Sequence, residues 1–413
     1  MFYAVVIVSA VVIFGAFTAL FPARRGVLAA LAYPVGWIAG ELCYYAILVE
    51  AVLVGYYVLG DAPVTWRLVV ASVLGIVAVA LNLALVGALL RARSVVATAL
   101  GTHERPLVVG RAREDRYSSW LRSATFVSLH PRSLILTKNV AYGPHARHRL
   151  DVWRTPTAPQ DAPVIFYLHG GAWTFGDKRE QGRPMLHEFA ARGWIVVTAN
   201  YRLAPRDPWP AQIEDVTRAL AWVKKNVASY GGDPQRVVVS GGSAGGHLAA
   251  LLALSSEDPT WRPVDVVDVA DWRVAGAIPF YGVLEMTGDE RYWRGLGAGI
   301  RRLLEGRIVQ RPFEENLDLY RALSPLSRIH DGSPPFLVIQ GVVDTLVDVN
   351  VARGFVDHFR AVATAPIYYV ELPLTQHAFD VTASARTSAT TRAALAFGES
   401  VVARSQRGDP SPR

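Results

Sequence analysis

A serine framed by two glycines stands between a run of valines and an apolar segment. The run is Val237-Val238-Val239, the serine is Ser243, and the glycines are Gly241 and Gly245. The β-branched run predicts a buried strand, and the segment from Ala244 onward predicts a helix. A strand that turns at once into a helix exposes the serine hydroxyl at the carboxyl edge of the sheet. The pattern therefore predicts a nucleophile whose developing negative charge meets free backbone N–H groups.

An activated serine needs a base, and histidine is the usual one. In the chain order serine, acid, histidine, three of the ten histidines lie well beyond Ser243, namely His330, His358 and His377. His358 falls inside a predicted helix, and His330 precedes the late predicted strands. His377 follows the predicted strand Ile367–Leu372 and a short loop, so it lies at a carboxyl strand end. We predict that His377 is the base.

The acid that orients the base must also follow a strand. The apolar segment Phe336–Gln340 predicts such a strand, and Asp344 lies on the loop directly after it. Asp348 is the alternative, but it is closer to the next predicted helix, where an acidic residue stabilises the helix N-terminus. We predict that Asp344 orients His377.

The negative charge that forms on a substrate oxygen needs N–H donors that are already in place. A glycine turn, with the sequence His-Gly-Gly-Ala-Trp from His169, follows another short apolar strand. We predict that the N–H groups of Gly171 and Ala172, with that of Ala244, form the hole. Gly170 shapes the same turn and is the alternative donor. His169 is predicted to fix the loop and not to act as a base.

Strand-like and helix-like segments alternate over residues 131–405. This alternation predicts a mostly parallel sheet covered by helices on both faces. A hairpin is predicted around Gly143-Pro144, before the alternation begins. The long segment of residues 284–323 interrupts the pattern and is predicted to be a cap over the site.

Three apolar stretches precede the sheet, near residues 2–21, 31–59 and 68–90. The first is an uncharged run of about 30 Å at 1.5 Å per residue, which matches a bilayer core. A signal peptide fits this run poorly, because no basic segment precedes it. The third is uncharged throughout. These stretches predict transmembrane helices.

The middle stretch leaves two interpretations open. Pro34, Gly36 and Gly40 interrupt it, and it carries Glu41 and Glu50. It is predicted to form either one kinked span or an interfacial segment. A carboxylate within a membrane is a functional candidate, although either one could simply lie at the interface.

The net charge of +7 comes almost entirely from arginines that cluster beside the apolar stretches. Their position favours a membrane surface and argues against nucleic acid as a partner. With three spans, the positive-inside rule places the catalytic domain in the cytoplasm; with two, the basic clusters fall on opposite sides. Residues 91–130 are predicted to be a basic juxtamembrane linker and residues 406–413 a disordered tail.

Residues 134–403 resemble an α/β-hydrolase of the hormone-sensitive-lipase-like esterase type. The resembling residues are the glycine turn from His169, Tyr201-Arg202-Leu203-Ala204-Pro205, Trp209-Pro210-Ala211, Asp215, Gly232-Asp233-Pro234, Gly242-Ser243-Ala244-Gly245-Gly246, Asp344 and His377. Apolar spans followed by such a domain are similar to membrane-associated esterases and lipases of actinobacteria. The resemblance implies an eight-stranded sheet and ester hydrolysis by a Ser-His-Asp triad. The family often has a third glycine where Ala172 stands, and an aspartate where Gly242 stands.

The expected reaction is hydrolysis of a carboxylic ester, either short- to medium-chain or lipid-derived, through an acyl-enzyme. The alternatives are a formamidase or amidase, or a prenylcysteine methylesterase with the same triad, because the motifs are also similar to those families. A non-catalytic docking module is disfavoured, since every part of the machinery is present. No metal or cofactor is expected, and the oligomeric state stays open. Five aromatic residues are weighed as acyl-pocket residues against the simpler role of core packing: Trp173, Trp209, Phe280, Tyr281 and Trp293.

Overall fold

The structure, a computed structural model, describes residues 2–23, 26–59, 65–101, 103, 105–107, 133–157, 159–256, 258–266, 269–294 and 296–406. Most of the predicted linker, residues 108–130, lies outside the described residues. The basic pair at 24–25 and residues 407–413 of the predicted tail also lie outside them.

Eight strands of the described residues form one sheet in the order β1-β2-β4-β3-β5-β6-β7-β8. Strand β2 is antiparallel to both of its neighbours, and the other pairs are parallel. The predicted hairpin and the predicted mostly parallel eight-stranded sheet are therefore confirmed. The strands are β1 Ile135–Ala141, β2 Arg149–Arg154, β3 Ala162–Leu168, β4 Ile195–Ala199, β5 Gly232–Gly242, β6 Gly276–Phe280, β7 Phe336–Gly341 and β8 Ile367–Leu372.

Helices cover both faces of the sheet, because alternate side chains of each strand enter different cores. Phe166 of β3 packs in the core of one face, and Tyr167 packs in the core of the other. The helices are α1 Phe2–Leu20, α2 Gly26–Glu41, α3 Cys43–Leu59, α4 Trp66–Gly101, α5 Arg183–Ala191, α6 Ala211–Asn226, α7 Ala244–Leu254, α8 Glu290–Trp293, α9 Gly297–Leu303, α10 Leu317–Ala322, α11 Val349–Val362 and α12 Ala385–Gln406. Helices α6, α7 and α11 pack on one face, and α5, α12 and the end of α4 pack on the other.

The segment between β6 and β7, where a cap is predicted over residues 284–323, contains short helices. These are α8, α9, a π-helical turn at Leu304–Ile308, and α10. The segment packs onto the rest of the domain, because the N–H of Trp209 donates to the carbonyl of Ile308 at 2.7 Å.

The apolar helices α1, α3 and α4 pack against one another. Phe2 lies against Tyr57 and Trp66 at one end of this bundle. Cys43, Leu85 and Ala16 meet at the other end, next to the α/β domain. Helices α1 and α4 are long and apolar enough to cross a membrane.

The predicted middle stretch, residues 31–59, is divided between two helices. Helices α2 and α3 meet at Leu42 with a bend of 75°. Pro34 and Gly40, which were expected to interrupt the stretch, lie within the continuous helix α2. The bend follows Glu41 instead, and the Glu41 side chain lies against Arg386 of the α/β domain.

The linker that was predicted to begin at residue 91 begins later in the structure. Helix α4 continues without a break to Gly101. Its final turns bury Ala92, Val96 and Leu100 in the core that covers one face of the sheet. Ala92, Val96 and Leu100 recur every four residues and form an apolar face of the helix despite the neighbouring arginines. Residues 91–101 are therefore part of the folded domain.

Candidate active site

Ser243 lies at the sharp turn between β5 and α7. Its backbone has φ 56° and ψ −120°, a region that L-residues rarely adopt. Glycine is required beside it, since a Cβ atom on Gly245 would lie 2.1 Å from the carbonyl oxygen of Leu168. The strained turn holds the serine at the carboxyl edge of the central strands, as the sequence predicted.

His377 and Asp344 are brought together from loops that follow neighbouring strands. The Nδ1–H of His377 donates to Oδ2 of Asp344 at 2.7 Å, and both side chains are buried. Asp344 follows β7, and His377 lies on the loop of residues 373–384 between β8 and α12, called the His377 loop below. This hydrogen bond leaves Nε2 as the nitrogen that can accept a proton.

Asp344 is fixed by hydrogen bonds that the sequence did not indicate. Its Oδ1 accepts the N–H groups of Leu346 and Val347 at 2.8 and 2.9 Å. Its Oδ2 accepts the Nε2–H of Gln340 at 3.0 Å. Gln376 connects the two loops, because its Oε1 accepts the N–H of Thr345 at 2.9 Å and that of His377 at 3.1 Å. In the sequence, only the position of Gln376 directly before the predicted base His377 could have indicated this role.

The disfavoured alternatives to Asp344 and His377 lie elsewhere in the structure. Asp348 caps α11 and accepts the N–H of Asn350 at 2.9 Å. His330 and His358 are exposed on the surface.

Of the predicted donors, Gly170 is excluded by its own hydrogen bond. Its N–H donates to Oε1 of Gln181 at 2.7 Å, so it is not available to a substrate oxygen. Gly171 and Ala172 follow with φ of 117° and 47°. The turn lies against the nucleophile, since a Cβ atom on Gly170 would be 3.2 Å from that of Ser243.

Two histidines brace this turn and remain neutral. His169 stacks on Tyr201, whose hydroxyl donates to the carbonyl of His169 at 2.8 Å. The Nε1–H of Trp173 donates to Nδ1 of His247 at 3.1 Å, so Nε2 of His247 carries the proton and donates to the carbonyl of Leu323 at 2.8 Å. Burial lowers the pKa of each histidine to about 4. His169 is therefore part of the scaffold, as predicted.

Tyr281 is the one of the five weighed aromatic residues that lies against His377. The two rings have centroids 4.5 Å apart, and a Cβ atom on Gly242 would lie 2.7 Å from the Tyr281 hydroxyl oxygen. The hydroxyl donates to Asp380, a buried carboxyl that the sequence analysis missed. Burial raises the pKa of Asp380 to about 6, against the opposing effect of the Tyr281 hydrogen bond.

The other weighed aromatic residues are buried in the domain. Trp209 packs against His247 and Trp261. The Nε1–H of Trp293 donates to Glu285 at 2.8 Å. Phe280 packs against Tyr281 and Phe379.

The strand order, the turn at Ser243 and the loops after β7 and β8 define an α/β-hydrolase. Esterase B from Lactobacillus rhamnosis has the same fold, with a TM-score of 0.57 at 21% identity; the match covers 70% of this chain and 92% of that one.

Sequence comparison gives the family. A model of the BD-FAE family matches residues 150–359. The probable carboxylic ester hydrolase LipM of Mycobacterium tuberculosis is 45% identical over 278 residues, which cover 66% of this chain and 63% of LipM. Esterase LipQ of the same organism is 42% identical over 260 residues, which cover 62% and 60%. These matches span less than two thirds of either relative. The chain belongs to the BD-FAE family, within the hormone-sensitive-lipase-like carboxylesterases.

Proposed function

We propose that this chain is a membrane-associated serine hydrolase that cleaves carboxylic esters through an acyl-enzyme on Ser243, His377 and Asp344. The observation that carries the proposal is the 2.7 Å hydrogen bond between His377 and Asp344, at the sheet edge that bears the strained turn of Ser243. The resemblance to the mycobacterial ester hydrolases supports the same reaction.

In the first half-reaction, Nε2 of His377 takes the proton of the Ser243 hydroxyl as Oγ attacks the ester carbonyl carbon. The carbonyl π electrons move to oxygen and give a tetrahedral oxyanion. When this collapses, the bond to the alcohol oxygen breaks, and His377 returns the proton to the leaving alcohol. Water then attacks the acyl-enzyme with the same proton transfers, which releases the acid and restores Ser243.

Asp344 acts on the histidine and not on the substrate. It holds Nδ1–H, so the tautomer with a free Nε2 is favoured, and its negative charge stabilises the imidazolium that forms. Its other hydrogen bonds, from Gln340 and two backbone N–H groups, fix the carboxylate in the required orientation.

The oxyanion is assigned to the N–H groups of Gly171, Ala172 and Ala244. The first two are on the turn braced by His169 and His247, and the third begins α7, where the helix dipole also favours negative charge. The closeness of this turn to Ser243 supports the assignment.

The test uses the full-length protein in detergent micelles, with p-nitrophenyl esters from acetate to palmitate. We expect ester hydrolysis by the wild type and its loss in Ser243→Ala. A formamide and the methyl ester of an S-prenylated cysteine are assayed beside them. If the wild type turns over only the formamide or only the prenylcysteine methyl ester, that activity would replace hydrolysis of acyl esters as the proposed function. A wild type that is inert on all of them would contradict the proposal.

We place the catalytic domain on the cytoplasmic side of a membrane crossed by α1, α3 and α4. Arg91 and Arg93 follow the apolar part of α4 at the domain end of the bundle, as the positive-inside rule requires of a cytoplasmic end. A C-terminal epitope tag should then be protected from protease in intact spheroplasts and cleaved after lysis. Cleavage in intact spheroplasts would reverse the orientation.

A further inference from the structure

Helix α2 lies directly against the loop that carries the base. The ring of Tyr33 meets that of His377 edge-on, with centroids 6.1 Å apart and planes at 75°. One turn further along α2, the Nε1–H of Trp37 donates to the carbonyl of Ala378 at 3.0 Å. The N-terminal apolar region is therefore in contact with the candidate active site.

A buried ion pair holds the end of α2 in this position. Nη1 of Arg386, at the start of α12, lies 2.6 Å from Oε1 of Glu41, and it also donates to the carbonyl of Gly40 at 3.1 Å. Nη2 of the same guanidinium donates to the carbonyl of Leu374 at 3.0 Å. Leu374 lies near the start of the His377 loop and Arg386 lies just after its end, so Arg386 links both ends of that loop to α2.

Helix α2 also lies at the domain end of the apolar bundle. A Cβ atom on Gly36 would be 3.5 Å from the Cα atom of Ala19, near the end of α1. The bend of 75° to α3 turns α2 away from the direction of the spans. The apolar cluster at this end includes Ala19 and Cys43, and Leu374 of the His377 loop packs on it. Apolar surface is thus continuous from the bundle to the loop of the base.

We propose that α2 forms the membrane-side wall of the active site, and that the substrate is a long-chain ester dissolved in the bilayer, whose acyl chain passes Tyr33. The inference rests on the proposed function of Ser243 and His377. Entry along α2 keeps the acyl methylenes in apolar surroundings, which avoids the free-energy cost of moving each of them through water. Tyrosine suits this place, because its ring is apolar and its hydroxyl tolerates the interface.

The test compares two esters on the full-length protein in phosphatidylcholine nanodiscs. One is p-nitrophenyl butyrate, added from water, and the other is p-nitrophenyl palmitate, dissolved in the same bilayer. We expect Tyr33→Ala to lower the palmitate-to-butyrate ratio of kcat/KM by about tenfold, mainly through KM, since a wall contact to the acyl chain is lost. Tyr33→Phe should restore most of the ratio.

Two further variants keep the result interpretable. Tyr33→Trp retains an aromatic ring but leaves less space for the acyl chain beside α2. It should therefore shift the preferred acyl chain to a shorter length, and this result can be obtained even if the alanine variant does not fold. Tyr56→Ala is the matched control, because Tyr56 is 69% exposed on the neighbouring helix α3, and it should leave the ratio unchanged.

Equal loss of both activities in Tyr33→Ala, with an unchanged chain-length optimum in Tyr33→Trp, would overturn the wall. A wild type that prefers butyrate to palmitate would overturn the lipid substrate. In both cases hydrolysis that depends on Ser243 would persist, so the proposed function would stand. Inactivity of the wild type on both esters would instead remove the proposed function itself.

Discussion

Replacing Glu41 with leucine removes one partner of the ion pair that fastens α2 to the His377 loop. The side chains of Glu41 and Arg386 are 2% and 1% exposed, and the two charges are 2.6 Å apart. The substitution leaves the guanidinium buried and without its counter-charge. The carbonyls of Gly40 and Leu374 remain as hydrogen-bond acceptors, so the charge is not entirely stranded.

Breaking a buried pair by removing one partner costs about 3–5 kcal/mol. The two remaining carbonyl acceptors favour the lower value, about 3 kcal/mol. For a domain of this size about 2 °C of melting temperature corresponds to 1 kcal/mol, so the Tm of Glu41→Leu should fall by roughly 6 °C. The double variant Glu41→Leu/Arg386→Met removes both charges and should recover most of this loss, because apolar residues can replace a buried pair without a net cost.

Thermal unfolding of the full-length protein in detergent, followed by tryptophan fluorescence, measures both shifts. Glu314→Leu is the control, since Glu314 is exposed. A Tm for Glu41→Leu equal to that of the control would show that the pair does not hold α2. A double variant with the summed loss of its two single variants would refute the reasoning from an unpaired buried charge.

Three other outcomes are expected. Asp344→Asn should lower kcat by roughly 10⁴-fold with little change in Tm, because the histidine tautomer is lost, and steady-state kinetics with p-nitrophenyl butyrate would show it. Gly171→Ala should abolish activity, since φ is 117° and the new Cβ atom would lie 2.1 Å from the carbonyl oxygen of Phe175; an active variant would contradict the assigned oxyanion turn. His169 and His247 have pKa values lowered to about 4 by burial, against about 6.5 in the unfolded chain. The unfolded chain alone therefore binds these protons between pH 6.5 and 4, so stability should fall as pH decreases through that window, and a pH series of urea midpoints should show a shallower fall for His247→Gln.

The sheet and the choice among candidate residues could be predicted because both depend on local sequence. Valine runs gave the strands, and Gly241 and Gly245 marked the turn that only a strand followed by a helix requires. Asp344 could be separated from Asp348 because one follows the strand at once and the other precedes a helix.

The remaining features depend on contacts between distant parts of the chain. Glu41 and Arg386 are 345 positions apart, and neither position reveals the other. The same ion pair lies at the bend after Glu41, whereas Pro34 and the glycines of α2 had suggested a break within α2 itself. The N–H of Gly170 is engaged by the side chain of Gln181, 11 positions away, which the sequence around the glycine turn does not indicate.

Labelling by a fluorophosphonate tests the central claim most directly, because this reagent needs an activated serine and reports on the site without a choice of ester. The full-length protein in detergent is treated, and the modified peptide is identified by mass spectrometry. The proposed mechanism predicts one adduct, on Ser243, which is absent in Ser243→Ala and slowed in His377→Gln. A wild type that is not labelled, or an adduct that persists in Ser243→Ala, would contradict the assignment of Ser243 as the nucleophile.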